Sequence, residues 1–136
     1  MQDQREQDSS ILFVCVENAG RSQMARAFAD KYGLHSESAG TVPSANVNPV
    51  VVEVMREKGI DISENHPKML TMEMIDRATL VVTMGCSVEK VCPKPLLAQM
   101  KKKLADWNLT DPKGKSIEQV REIRDLIEKK VIELAR

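Results

Sequence analysis

The chain has no excess charge of either sign: 20 basic residues balance 20 acidic ones over 136 positions. That balance removes the electrostatic case for nucleic acid or an anionic membrane as the main partner, so any pull on an anion must come from a local site. Long apolar runs are also missing. Nothing approaches the roughly 20 residues of a membrane span, and no membrane association is expected. Residues 1–9 are polar and lack the apolar core of an export signal. They read as a flexible tail ahead of a single domain over residues 10–136, and a cytoplasmic location is the expectation. Cysteine is scarce, at three residues. Such a count suits reactive or buried thiols rather than a disulfide framework. Cys86 and Cys92 have five residues between them, whereas common zinc sites use gaps of about two to four. No metal and no cofactor are therefore expected. Internal repeats are absent.

What the chain does have is an alternation of short apolar runs and amphipathic stretches. Ile11-Leu12-Phe13-Val14, running into Cys15, reads as a buried strand, and Leu80–Thr83 as another. Continuous apolar runs of this kind suit a sheet covered on both faces. His35–Ala39, closed by Gly40, and the weaker Lys103–Asp106 complete four strands. A helix over Arg21–Tyr32 puts Met24, Ala27, Phe28 and Tyr32 on one face and stops at Gly33. Asn48-Pro49 supplies an N-cap and a first-turn proline for a helix ending at Gly59. Thr71 caps a short helix reaching about Asp76. Ser116 and Gln119 form a capping box for a last helix with Ile117, Val120, Ile123, Ile127, Val131 and Leu134 as its buried stripe. The methionines read mostly as core filling. The predicted class is α/β, a four-stranded parallel sheet with helices on both faces and right-handed crossovers. Ligands of such sheets sit at the carboxyl ends of the strands.

The first strand ends at Cys15, which opens the run Cys15-Val16-Glu17-Asn18-Ala19-Gly20-Arg21-Ser22. A loop of this length can curl its backbone N–H groups inward. The N–H groups of Val16, Glu17, Asn18, Ala19 and Gly20, with the following helix N-terminus, then form a nest for a tetrahedral oxyanion. The planar fork of Arg21 can grip two oxygens at once. The same field suits a thiolate, and Ser22 can donate a hydrogen bond to it. Cys15 is thus a candidate nucleophile aimed at a bound anion. Glu17 opposes anion binding, so its side chain is expected to point away from the pocket. Asn18 is expected to support the loop backbone, since Asn tolerates left-handed conformations.

The run CVENAGRSQMARAF resembles the nucleophile loop of the low-molecular-weight protein tyrosine phosphatase superfamily. Ser38-Ala39-Gly40, Asn48-Pro49, Gly59-Ile60-Asp61-Ile62-Ser63, Val81-Val82-Thr83-Met84 and Asp111-Pro112 follow in the order this superfamily shows. The resemblance runs from Ile11 onward and implies that family's three-layer sandwich, with Asp111 as the general acid. Asp106 is the rival acid and is read as the end of the fourth strand.

Met84-Gly85-Cys86 through Cys92-Pro93 resembles the redox loop of the thioredoxin-coupled arsenate reductases in the same superfamily. Phosphatases of the family often carry tyrosines near the acid, whereas the single tyrosine here, Tyr32, lies elsewhere. The resemblance implies arsenate reduction by a relay through Cys15, Cys86 and Cys92. Its partners would be an arsenate or phosphate oxyanion and thioredoxin or a similar dithiol reductant, acting on a monomer. Bridged cysteines need Cα atoms about 4.4–6.8 Å apart, whereas a helical 86–92 segment would separate the pair by about 9 Å. An irregular, mobile loop is expected there. Arg26 stands where many relatives carry glutamate, which argues against a potassium site beside Asn18. Two other readings remain: a phosphatase using Cys15, Arg21 and Asp111 alone, and an anion-binding or thiol-sensing module without turnover.

Overall fold

The strands β1 (Ile11–Cys15), β2 (Ser36–Gly40), β3 (Leu80–Thr83) and β4 (Leu104–Asp106) form one sheet in the order β2-β1-β3-β4, with every pairing parallel. These come from a computed structural model that describes residues 10–85 and 93–136. The register sets Cys15 beside Gly40 and Val14 beside Thr83, so the carboxyl ends of three strands meet around Cys15. The helices are α1 (Arg21–Lys31), α2 (Pro49–Arg56), α3 (Met72–Arg77), α4 (Lys94–Lys101) and α5 (Ile117–Ala135).

Strand alternation divides the core in two. Phe13, Cys15 and Val82 face one layer, where they pack with Met24 and Phe28 of α1, Val51 and Met55 of α2, and Val120 and Ile127 of α5. Leu12, Val14 and Val81 face the other, against Ile75 of α3 and Met100 of α4. Fully burying each such side chain contributes about 1.5–3 kcal/mol, so both faces of β1 are strongly specified. This is the expected α/β sandwich with helices on both faces.

The caps read from the sequence are present. Asn48 Oδ1 accepts from the Val50 N–H at 2.9 Å, and Thr71 Oγ1 accepts from Met74 at 3.2 Å. Ser116 and Gln119 bond reciprocally. Such a cap is worth about 1 kcal/mol. Several boundaries differ: Lys103 stays outside β4, and α2 ends at Arg56, three residues before Gly59. His35 stays outside β2, where its carbonyl accepts from Ile11 at the sheet's edge. Gly40 joins β2 as the partner of Cys15. Tyr32 caps α1, while Gly33 takes φ 81° and turns the chain back so that Leu34 N–H bonds Ala29. One helix was not expected. Helix α4 has Pro93 as its N-cap and Pro95 in its first turn, where a proline costs no helical hydrogen bond. Met69 also departs from the core-filling reading, being 56% exposed. Among the described residues no helix is long and apolar enough to cross a membrane.

At the C-terminal end of α2, α5 is tied to it. Glu57, just after α2, accepts from Arg121 and from Arg124, each at 2.7 Å. The Arg121 hydrogen bond, with that of Arg124, outweighs desolvation and lowers the Glu57 carboxyl to about 2.

Candidate active site

Five residues join β1 to α1, and their carbonyls all have partners outside the loop's concave side. Val16 accepts from Val42 N–H, Glu17 from Ser44 and Ala19 from Asn48. Gly20 accepts from Met24 N–H, and the Asn18 carbonyl from Gln23 Nε2 at 3.1 Å. With the carbonyls held outward, the peptide N–H groups turn inward. Those of Glu17, Ala19 and Gly20 have no acceptor among the described residues. That is the chemistry of an anion nest at a helix N-terminus.

Asn18 makes the curl possible, with a left-handed φ of 53°. Its side chain does more than the sequence suggested. Oδ1 accepts from the Lys68 backbone N–H at 2.9 Å and from Gln23 Nε2 at 3.2 Å, which fixes the amide's orientation. Nδ2 therefore points at Ser22 Oγ, 2.6 Å away. Because Ser22 Oγ accepts from that amide, its own proton is directed to Cys15 Sγ at 2.9 Å. The Asn18 backbone N–H donates to the same sulfur at 3.1 Å. Two donors thus converge on a buried sulfur that is 3% exposed, an arrangement that fixes its position as a nucleophile would require. Asn65 Nδ2, bonded to Gln23 Oε1 at 3.3 Å, extends the network. Gln23, Asn65 and Lys68 carried no signal in the sequence, since two of them lie more than forty residues from Asn18 or Gln23.

Arg21 crosses from the nucleophile loop to the far side of the sheet. Its Nη1 donates to the carbonyls of Met84 at 3.0 Å and Leu109 at 2.7 Å. That leaves the Nε–Nη2 edge for a planar, two-point grip on an oxyanion. Gly85 lets the chains come this close: a Cβ there would stand 2.8 Å from the Leu109 oxygen and 3.0 Å from Arg21 Nη1, and its φ is 140°. Gly40 serves similarly beneath the loop, where a Cβ would lie 2.6 Å from the Val16 oxygen.

A cleft of about 930 Å³ opens above the loop, lined by Cys15, Val16, Glu17, Ala19, Gly20 and Arg21 from one side and by residues 108–114 from the other. Asp111 belongs to that far wall. Its Oδ1 accepts from the Lys113 backbone N–H at 3.0 Å, and its Oδ2 stands 3.9 Å from Arg21 Nη2. Half-exposed and adjacent to the arginine, it can exchange a proton with a leaving oxygen. Asp106 is occupied elsewhere, accepting from Thr83 Oγ1 and the Asn108 N–H at the end of β4, and it does not line the cleft. Glu17 does not turn away as expected. It lines the cleft, and its carboxylate accepts from Lys113 Nζ at 3.0 Å. That bond raises the Lys113 ammonium above its ordinary range. The structure therefore gathers Cys15, Val16, Glu17, Asn18, Ala19, Gly20, Arg21, Ser22 and Asp111 around one cleft. Cys86 and Cys92, and the loop expected between them, lie outside the described residues. No group of His, Cys, Asp and Glu among the described residues is arranged to hold a metal ion.

The model of the low molecular weight phosphotyrosine protein phosphatase family matches residues 10–136. A Halobacterium salinarum protein provisionally named an arsenate reductase is 41% identical over 130 residues, covering 90% of this chain and 87% of that protein. Among solved structures, an arginine phosphatase from Geobacillus stearothermophilus superposes with a TM-score of 0.82 at 30% identity, covering 93% of this chain and 90% of that one. A thioredoxin-dependent arsenate reductase from Corynebacterium glutamicum superposes with a TM-score of 0.72 at 37% identity, over 93% of this chain and 59% of that one. From its sheet order, its strand–loop–helix anion nest and a match along nearly its whole length, the chain belongs to the low molecular weight phosphotyrosine protein phosphatase family.

Proposed function

We propose that the protein reduces arsenate to arsenite through a thiol relay, with Cys15 as nucleophile and Cys86 and Cys92 as the redox pair. The observation that carries this reading is the Cys15 sulfur, held by two hydrogen-bond donors at the floor of an inward-facing N–H nest with Arg21 beside it. The likeness to proteins named for arsenate reduction supports the choice of oxyanion.

Arsenate has the shape and charge of phosphate and occupies the nest. The Cys15 thiolate attacks arsenic, forming a sulfur–arsenic bond. An arsenate oxygen departs as water, with Asp111 supplying a proton. The Cys86 thiolate next attacks the Cys15 sulfur. A Cys15–Cys86 disulfide forms, the sulfur–arsenic bond breaks, and its electron pair stays on arsenic, which leaves as arsenite. Cys92 then attacks Cys86, releasing the Cys15 thiolate and moving the disulfide to Cys86–Cys92. A dithiol reductant of the thioredoxin kind resets that pair. No resident cofactor enters the scheme.

A phosphomonoesterase is the second reading, favoured by the likeness to an arginine phosphatase and by a complete set of Cys15, Arg21 and Asp111. The two share their first step and part at Cys86. The deciding experiment follows NADPH loss with thioredoxin, thioredoxin reductase and arsenate, for the wild type and Cys86→Ser. The relay predicts steady arsenate-dependent loss that disappears in the variant, leaving a single turnover at most. Arsenate-independent rates, with brisk release of phosphate from a phosphomonoester by both proteins, would establish the phosphatase instead.

A further inference from the structure

Each wall of the cleft contributes one charge that its chemistry does not need. Glu17 puts a carboxylate into a loop built to attract anions. Lys113 stands two residues past Asp111, on the opposite wall. The two meet at 3.0 Å, and theirs is the one side-chain-to-side-chain hydrogen bond between the nucleophile loop and residues 108–114 among the described residues. Lys113 also holds Asp111 from behind, because its backbone N–H donates to Oδ1 while Oδ2 is left toward Arg21. The rest of this wall is held mainly through its backbone, with Arg21 Nη1 donating to the Leu109 carbonyl at 2.7 Å. Leu109 N–H bonds the Met84 carbonyl, Pro112 is buried against Gly20, and Lys115 N–H closes a turn on the Pro112 carbonyl.

Resting on the oxyanion site proposed above, we propose that Lys113 is a positioning residue: by pairing with Glu17 it neutralises an anion-repelling charge at the cleft and latches the Asp111 wall over Cys15. The charged groups around the pair are Asp111 and Arg21. Arg21 is anchored on two carbonyls and cannot swing to Glu17 without giving those up. Removing the lysine thus leaves a bare carboxylate beside the bound dianion. At the distances of a cleft wall and in partly solvated surroundings, such a charge costs about fivefold to tenfold in anion affinity, and added salt reduces the penalty.

The test measures inorganic phosphate binding by calorimetry at low and high salt for the wild type, Lys113→Met, Glu17→Gln and the double variant. All four are also assayed for arsenate turnover against pH. Lys113 is 70% exposed at its side chain, so folding is expected to survive, and a thermal melt of each protein checks it. The expected result is weaker phosphate binding in Lys113→Met by about fivefold to tenfold, shrinking as salt rises. Affinity should return in the double variant, because the repelling carboxylate is gone. Turnover should stay reduced there, because Asp111 has lost its latch. The exchanged pair, Glu17→Lys with Lys113→Glu, should recover turnover relative to either single exchange. Equal phosphate affinity in wild type and Lys113→Met, or a double variant no better than Lys113→Met, would overturn the latch while leaving the oxyanion site intact. A wild type that binds no phosphate would overturn the site, and the latch with it.

Discussion

The two walls of the cleft are built by opposite means. The wall from Cys15 to Ser22 is buried and held by side chains that bond one another and the backbone of distant segments: Ser22 to Cys15, Asn18 to Ser22, Gln23 to Asn18, and the Lys68 N–H to Asn18. The wall from 108 to 114 is largely exposed: Leu109 is anchored through its backbone to Met84 and Arg21, and beyond it the wall is held by short-range turns and by the Lys113–Glu17 and Arg21–Asp111 pairs. In the first wall, function and folding use the same atoms. In the second they are separable, because a solvated pair is worth no more than about 1 kcal/mol to the fold. On the proposed function, a site that must hold a buried nucleophilic sulfur in place and yet admit and release a small anion has reason to be built this way.

The contrast is best broken at Asp111. Asp111→Asn keeps the shape of the turn, since the amide oxygen can still accept from Lys113, but it removes the proton donor. Loss of a general acid typically costs about 10²–10⁴-fold in rate. On the proposed mechanism the step that joins Cys15 to arsenic should slow by that order until it limits arsenite release in a single turnover, while the melting temperature stays unchanged. A variant that melts much lower would show that the second wall is as tightly built into the fold as the first.

Asn18→Ala probes the other side and should damage both properties. It leaves the Lys68 N–H and one Ser22 lone pair without partners, at about 1–3 kcal/mol for a buried unsatisfied group. It also puts a residue with no local hydrogen bond into a left-handed conformation, at about 1 kcal/mol or more. Denaturant unfolding should show a loss of about 2–4 kcal/mol, together with slower attack by Cys15, whose serine donor is no longer oriented. Slow attack with unchanged stability would uncouple the two and remove the distinction drawn between the walls.

What the sequence made legible follows the same division. Local signals were enough for the strands, for three helix caps and for the nest, because Asn48, Thr71, Ser116 and the Cys15–Ser22 run each act within a few residues of themselves. The links that hold the nest in place were not legible. Asn18 reaches Lys68, Arg21 reaches Leu109 and Lys113 reaches Glu17, and no periodicity or spacing encodes a bond between segments brought together only by the sheet. Helix α4 was hidden for a different reason: its paired prolines argue against a helix interior but are neutral at a helix start. The exposed side of Met69 has no local cause either, since the parallel bridge between Gly40 and Met69 sets it.

Glu57 supplies the finest test, because it is an exposed pair like Glu17–Lys113 but belongs to the scaffold. Two arginines bond it, Arg121 most strongly, and its carboxyl lies at about 2 in the folded protein against 4.5 for the free side chain. A carboxyl depressed by folding contributes stability that is complete above about pH 4.5 and is lost as pH falls toward 2. Glu57→Gln should therefore unfold slightly more easily at neutral pH, and its stability should fall less steeply than the wild type's between those two pH values. Arsenate turnover at neutral pH should not change, since Glu57, Arg121 and Arg124 do not line the cleft. If turnover fell with Glu57→Gln, the α2–α5 clamp would be coupled to the site, through the Asn48 N–H that holds the Ala19 carbonyl just before α2 begins. The first wall would then extend much further into the fold than its own hydrogen bonds indicate.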